Sequence, residues 1–568
     1  MSFCHGSRSG LNGMIDRLSG VLAKITLGLF FLYLFCAGVI IGGTALHDPD
    51  TCWIVGLGRY MFEHGGVPSV EPFSYTFVDV HRPLVLYQWM TELLFYGAVK
   101  IGGLAALLVL VSTLVMTSFV VIPMKLFEMA RVRWYQALPL ILLVMVGACF
   151  HFLARPEIIS YLFLSLLLFL LTMHRLNFRR QVASVLSAES ASSTVAASTA
   201  LPNHSAFSNP RPAVFDYKLV LAVAILMVAW SNFHTGFISG LIVLASYVLA
   251  SLVSRLIFKV RPFCDFTALA ALLLGVPSTL CNPYGVGLWQ YIPSLFFAGF
   301  NHLITELHSV DIRKPEFTPF CLFLTIFLFV FFRQLKFTFN KSADSETVSR
   351  EKMQIVESFM IFVVCVFEGW SHLRLIPFVV LVLMYELALL LAPVMNDAKP
   401  VSLLLDAFNS KLAAGLAPRF RLGSNVCIAF ALLLGVVGTM ISFRIQTPVL
   451  PQSNGAFKLP VKALEIMNAH HANEHILNDP QFGDALIWYH PDAPKVFVDT
   501  RFDMYGENLV RDYLRMQNAE TGWEELIDKY GVKAVFLSPN SPLIQKLKVS
   551  PPWQLEYSDK DAAVLFRP

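Results

Sequence analysis

Charge is scarce in this 568-residue chain: Asp, Glu, Lys and Arg make up 14%, against 56% apolar residues and a mean hydropathy of +0.61. A single soluble core of ordinary size cannot hide that much apolar surface, so lipid must take the surplus. The net charge is only +4, and the Lys and Arg fall between apolar runs without a stripe of stacking aromatics, which speaks against a nucleic-acid partner. Cysteine is sparse too, with nine scattered from Cys4 to Cys427 and none after residue 443. Neither a disulfide framework nor a zinc-ligand spacing follows. A cleavable leader is also missing: Arg8, Arg17 and Lys24 precede a long apolar run without a small-residue cleavage site, so this run reads as an uncleaved first crossing. There is no internal repeat.

What is present is a series of apolar runs, at 25–46, 101–124, 135–153, 157–173, 218–232, 237–257, 266–281, 317–333, 354–370, 375–394 and 424–443. At 15 to 24 residues, these runs are of the length a helix needs to cross a bilayer, about 17 to 25 residues with the ends adjusted by a few positions. They predict a polytopic α-helical membrane protein with about 11 transmembrane helices over 1–443. With the N-terminus cytoplasmic, the connections on its side hold 23 Lys and Arg and the opposite loops hold 7. Positive charge is retained in the cytoplasm, so this asymmetry sets the N-terminus inside, the loop 47–100 outside and the linker 174–217 inside. The Ser/Ala/Asn-rich part of that linker, 181–212, reads as disordered. The expected location is a bacterial inner membrane.

After residue 443 the text becomes ordinary and mixed, and an odd number of crossings puts 444–568 outside the cytoplasm. Short β-like runs at 475–477, 495–498, 533–537, 554–557 and 563–566 alternate with helical ones near 460–472, 508–517, 522–530 and 542–548. They predict a C-terminal soluble α/β domain.

Polar residues that interrupt apolar text gather at the outer ends of the crossings: Asp48-Pro49-Asp50, Arg155-Pro156-Glu157, Asn232-Phe233-His234, Asn282-Pro283-Tyr284 and His372-Leu373-Arg374. Ionisable groups at that depth are unfavourable unless they pair, meet water or bind something, so they suit an outward cavity. Asp48 and Asp50 could hold a hard cation such as Mg or Mn, or one could act as a base while the other orients it. Helix capping by Asp48, with Pro49 at the first helical position, accounts for the same pattern. Arg155, with Glu157 or another carboxylate as counter-charge, and Arg374 could clamp a phosphate, or could extend to lipid head groups. His234 and His372 could donate to a phosphate or ligate a metal, but no tight spacing joins them, which favours structural hydrogen bonding. In the tail, Asp499 and Arg501 follow the apolar run Val496-Phe497-Val498, where open α/β sheets bind ligands; a loop-tying ion pair explains them as well.

The first loop, His47 to Glu92, reads HDPDTCWIVGLGRYMFEHGGVPSVEPFSYTFVDVHRPLVLYQWMTE. It resembles the first external loop of GT-C-fold glycosyltransferases, the class of the protein mannosyltransferases, aminoarabinose transferases and oligosaccharyltransferase catalytic subunits. Uncharacterised bacterial membrane proteins with the same DPDxxW, RPE and NPYG text resemble it too. The resemblance implies a lipid-phosphate-linked sugar donor, a glycan, lipid or protein acceptor, and Asp50 or Asp48 as base or metal ligand. The tail has no tryptophan-rich WWD-type acceptor motif, which argues against the oligosaccharyltransferase branch. Two other readings remain open. A transporter or flippase would need polar sites deeper in the crossings, where Glu357 and Glu386 are the main candidates. A non-catalytic envelope-assembly subunit would use its tail to bind a partner.

Overall fold

The computed structural model describes residues 32, 34–39, 45–46, 48–77, 83–132, 134–196, 215–258, 265–296, 299, 305–340, 346–396, 432–441, 459–470, 474–489 and 496–568. The first helix, α1 (Asp50–His64), begins where Asp48 Oδ1 accepts the Asp50 N–H at 3.1 Å. Pro49 takes the N-cap position, one place later than the sequence suggested. The helix ends at Gly65, whose φ of +73° is left-handed and therefore suits a residue without Cβ.

Six helices among the described residues are long and apolar enough to cross a membrane: α2 (Trp89–Met129), α4 (Glu157–Ala196) over its first part, α6 (Phe237–Phe258), α9 (Thr318–Phe339), α10 (Glu346–Ser371) and α11 (Ile376–Asn396). Shorter apolar helices coincide with four more of the expected crossings: α3 (Trp134–Ala148), α5 (Tyr217–Phe233), α7 (Asp265–Ser278) and α12 (Leu432–Ile441). The run 25–46 lies largely outside the described residues. Helix α4 runs on to Ala196, so the first half of the segment read as disordered is helical, while 197–214 lie outside the description. Between α7 and α9 the connection carries a further helix, α8 (Val286–Phe296).

At the far end of the bundle from the outer motifs, Arg175 of α4 bonds Glu357 of α10 at 2.6 Å and Glu386 of α11 at 3.0 Å. Tyr247 of α6 also donates to Glu386, and so does Ser358 at 2.6 Å. The deep polar groups that a transport path would need are thus consumed in tying four helices together.

The tail contains helices α13 (Val461–His470), α14 (Pro480–Tyr489), α15 (Phe502–Gln517), α16 (Trp523–Lys529) and α17 (Pro542–Leu547). Its strands are β1 (Ile476–Asn478), β2 (Ala534–Leu537), β3 (Gln554–Ser558) and β4 (Ala563–Phe566), in sheet order β1-β2-β4-β3. The β1–β2 pair is parallel and the other two are antiparallel. The expected strand at 495–498 is only a bridge: Val496 pairs with Ile476 on one side and with Ser74 of the first loop on the other. That loop therefore extends the tail's sheet. One apolar core is continuous from the bundle through Trp53, Phe73 and Leu86 into Leu477, Ile487, Phe497 and Tyr505. Burial of this kind stabilises by about 25 cal/mol per Å² of apolar surface, which binds the tail to the loop.

Candidate active site

Backbone contacts bring the outer motifs together. Ala154 N–H donates to Ala45 C=O at 2.7 Å and Thr51 Oγ1 donates to Ala154 C=O at 3.3 Å, which sets the turn before α4 against the start of α1. The next residue is Arg155, and its guanidinium serves three carboxylates at once. Nε bonds Asp48, Nη2 lies 3.1 Å from both Asp48 Oδ1 and Asp50 Oδ2, and Nη1 bonds Glu306 at 2.8 and 3.0 Å. Burial, which alone would raise the Glu306 carboxyl, is overcome by Arg155 and His151, and Glu306 is held well below the usual range. Sequence reasoning gave Arg155 a phosphate to clamp; the structure occupies its donors with protein carboxylates. The guanidinium also stands between Asp48 and Asp50, where a divalent cation would sit. The pair as arranged offers no open coordination site.

Asp50 has a different environment from Asp48. Asp48 is buried, takes the Arg155 fork and accepts the Asp50 N–H at the start of α1. The Asp50 side chain keeps 20% of its surface open. Burial outweighs Arg155 and, with Asp48 and Glu306 nearby, pushes its carboxyl up to about 7. Its Oδ1 accepts a hydrogen bond from Thr500 Oγ1 of the tail at 2.7 Å, and the same hydroxyl lies 2.9 Å from Asp484 Oδ2.

A second charge pair stands beside this cluster. Glu157, at the start of α4, bonds Arg374 through one guanidinium nitrogen, Nη2. The Arg374 side chain remains 37% exposed, and its other nitrogens have no partner among the described residues. His234 lies near the pair with Nδ1 receiving the Gly236 N–H at 3.1 Å and facing Ser160 Oγ at 2.8 Å. Nδ1 is thus an acceptor, and burial lowers the imidazole to about 4, so His234 is neutral with its proton on Nε2.

The remaining outer residues build the frame. Asn232 accepts from Trp89 Nε1 at 3.1 Å and donates to the Val228 and Cys281 carbonyls, each at 2.8 Å. Asn282 closes its own turn onto Tyr284 N–H at 2.8 Å, and the Tyr284 hydroxyl accepts the Leu86 N–H at 3.0 Å, anchoring the first loop. His372 ends α10 in extended backbone, and its Nδ1 lacks a partner among the described residues. Asp499 accepts from Arg501 and from Tyr505 Oη, and Arg501 also forms two 3.0 Å bonds to Glu71 of the first loop. Asp499 and Arg501 therefore tie loop to tail. Beside them lies a cavity of about 20 Å³, lined by Trp53, Tyr87, Gln88, Glu92, Arg501 and Asp503 among others, with room for one water-sized group.

Glu71, Glu306, Asp484 and Thr500 went unnoticed in the sequence, because they sit in mixed polar text where a carboxylate or hydroxyl carries no signal.

No family model matches the chain, and no curated protein matches it. Among solved structures it is similar to the oligosaccharyltransferase AglB from Archaeoglobus fulgidus in complex with an inhibitory peptide and a dolichol-phosphate, at 14% identity and a TM-score of 0.49, over 89% of this chain and 69% of that one. It is similar also to ArnT from Cupriavidus metallidurans bound to undecaprenyl phosphate, at 13% identity and a TM-score of 0.47, over 95% of this chain and 97% of that one. Both neighbours are membrane glycosyltransferases of the GT-C fold.

Proposed function

We propose that this chain is a membrane glycosyltransferase that moves a sugar from a lipid-phosphate-linked donor to an acceptor hydroxyl at the outer membrane face, with Asp50 as the base. The observation that carries the reading is the division of labour among neighbouring groups. Asp48 is occupied by the Asp50 N–H and by Arg155, whereas Asp50 is partly open and tuned to about 7, and Arg374, whose charge acts on Arg155 and Glu306 of the same cluster, keeps donors without a partner among the described residues. A general base works best when its pKa lies near the operating pH.

In the reaction, the acceptor oxygen attacks the anomeric carbon and its proton passes to an Asp50 carboxylate oxygen. The bond from that carbon to the phosphate oxygen breaks, and the phosphate leaves with the electron pair on the lipid carrier. Arg374 meets the leaving phosphate with its unused donors, while Glu157 keeps the guanidinium aimed. Asp50 releases its proton to solvent before the next cycle. Arg155 does not touch the phosphate; it fixes the direction in which Asp50 points.

Purified full-length protein in detergent, supplied with polyprenyl-phosphate-linked sugars, should release polyprenyl phosphate at a rate that rises with pH through about 7, as Asp50 loses its proton. Asp50→Asn retains shape and hydrogen bonding but not basicity, and should lower the rate by about 10²-fold or more at unchanged membrane abundance. Undiminished transfer by Asp50→Asn would remove the base and return the envelope-assembly reading to first place.

A further inference from the structure

Thr500 Oγ1 lies 2.7 Å from Asp50 Oδ1 and 2.9 Å from Asp484 Oδ2. A hydroxyl carries one hydrogen, so it donates to only one of two carboxylates. The other contact is a hydrogen bond only if that carboxyl supplies the proton. Asp484 is fully buried on α14, and among the described residues the charged or titratable groups facing it are Asp50, Asp499 and Cys52, with no cation among them. Asp50 faces Arg155 together with Asp48, Glu306, Asp484 and Cys52, so its negative charge is compensated and that of Asp484 is not. Thr500 N–H fixes the other Asp484 oxygen at 3.2 Å.

We infer that Asp484 is held as the neutral acid and that its O–H donates to Thr500 Oγ1, locking the threonine hydroxyl as a permanent donor to Asp50. Burial and the nearby Asp50 push the Asp484 carboxyl well above its ordinary range, in keeping with the lock. Both residues belong to the tail, so the tail supplies positioning residues without which the Asp50 site is incomplete. The lock fixes the Asp50 rotamer, leaves Oδ2 beside Arg155, and stabilises the ionised form. This inference rests on the role proposed for Asp50, yet its first test needs no turnover.

Infrared difference spectra of the full-length protein across a pH titration report carboxyl protonation directly, with the Asp50 signal assigned by its loss in Asp50→Asn. Thr500→Val should raise the Asp50 midpoint by about one pH unit, because a hydrogen bond to the charged form is gone, and Thr500→Ser should restore it. Asp484→Asn should leave the midpoint in place and remove a carboxylic-acid band seen at neutral pH, since an amide donates as the acid does. A midpoint lowered by Asp484→Asn would show that Asp484 is ionised, and a midpoint unmoved by Thr500→Val would show that the hydroxyl does not bear on Asp50. Either result overturns the lock. The pH dependence of polyprenyl phosphate release should shift in parallel for Thr500→Val; a titration that shifts in a protein without transfer would retain the lock and sink the transferase reading instead.

Discussion

Arg155 and Arg374, alike in the sequence, have been given opposite tasks by their partners. Arg155 neutralises Asp48, Asp50 and Glu306, with 16% of its side chain exposed. Replacing it with Met strands three largely buried carboxylates, and removing one partner of such a network costs about 3 kcal/mol or more. Thermal unfolding of Arg155→Met in detergent should therefore fall clearly below wild type. Arg374 uses one nitrogen on Glu157, and its others have no partner among the described residues. Arg374→Lys preserves the charge but loses the planar fork, so polyprenyl phosphate release should drop by about tenfold or more while the unfolding temperature hardly moves. The reverse pattern would exchange the two roles. Asp48, Asp50, Arg155 and Arg374 were legible because each interrupts apolar text beside Pro or at a helix end. Which carboxylate meets which arginine was not legible, since Glu306 and Glu71 come from loops that only the fold brings near.

Among the elements, α14 shows where sequence reading failed and why. Pro480-Gln481-Phe482-Gly483 has the punctuation of a turn, yet Pro480 stands at the first helical position, where its missing N–H does no harm. Gly483 is needed for close approach: a Cβ there would lie 2.3 Å from Val498 O and 2.6 Å from Asn478 Nδ2. Asn478 in turn holds the following segment, donating to Val498 C=O at 2.7 Å and accepting Phe497 N–H at 2.9 Å. The expected strand at 495–498 is therefore held in part by a side chain and by the first loop. Gly483→Ala must push the backbone that leads to Thr500 away from α14, at roughly 1–3 kcal/mol. Both unfolding temperature and transfer should fall. Gly287→Ala, where the added Cβ meets only Tyr284 Cβ at 3.8 Å, should change stability by no more than about 0.5 kcal/mol. Equal effects from the two would contradict the packing of α14.

For the whole molecule, the junction of loop and tail constrains topology more firmly than any count of crossings. Ser74 bridges Val496, Tyr75 stacks on His475 with ring centroids 3.9 Å apart, Arg501 grips Glu71, and Thr500 reaches Asp50. Residues 48–77 and 459–568 must then share one side of the membrane. Ten apolar helices lie between them among the described residues, six of full crossing length and four shorter, and an even number returns the chain to the side it left. Hydropathy made the series of helices visible because lipid selects for it residue by residue. The docking of the tail was hidden, because its contacts join positions more than 400 residues apart, each unremarkable in its own neighbourhood. The charge count, 23 against 7, predicts the direction, with the Lys- and Arg-rich connections in the cytoplasm. A reporter active only outside the cytoplasm should therefore be active when fused after Pro568 and also when inserted near Gly66, and silent near Ser192. Activity at Ser192 with silence at both other sites would invert the molecule but leave the loop and tail together. Opposite results at Gly66 and Pro568 would break the junction itself, and with it the site that Asp50, Thr500 and Asp484 share.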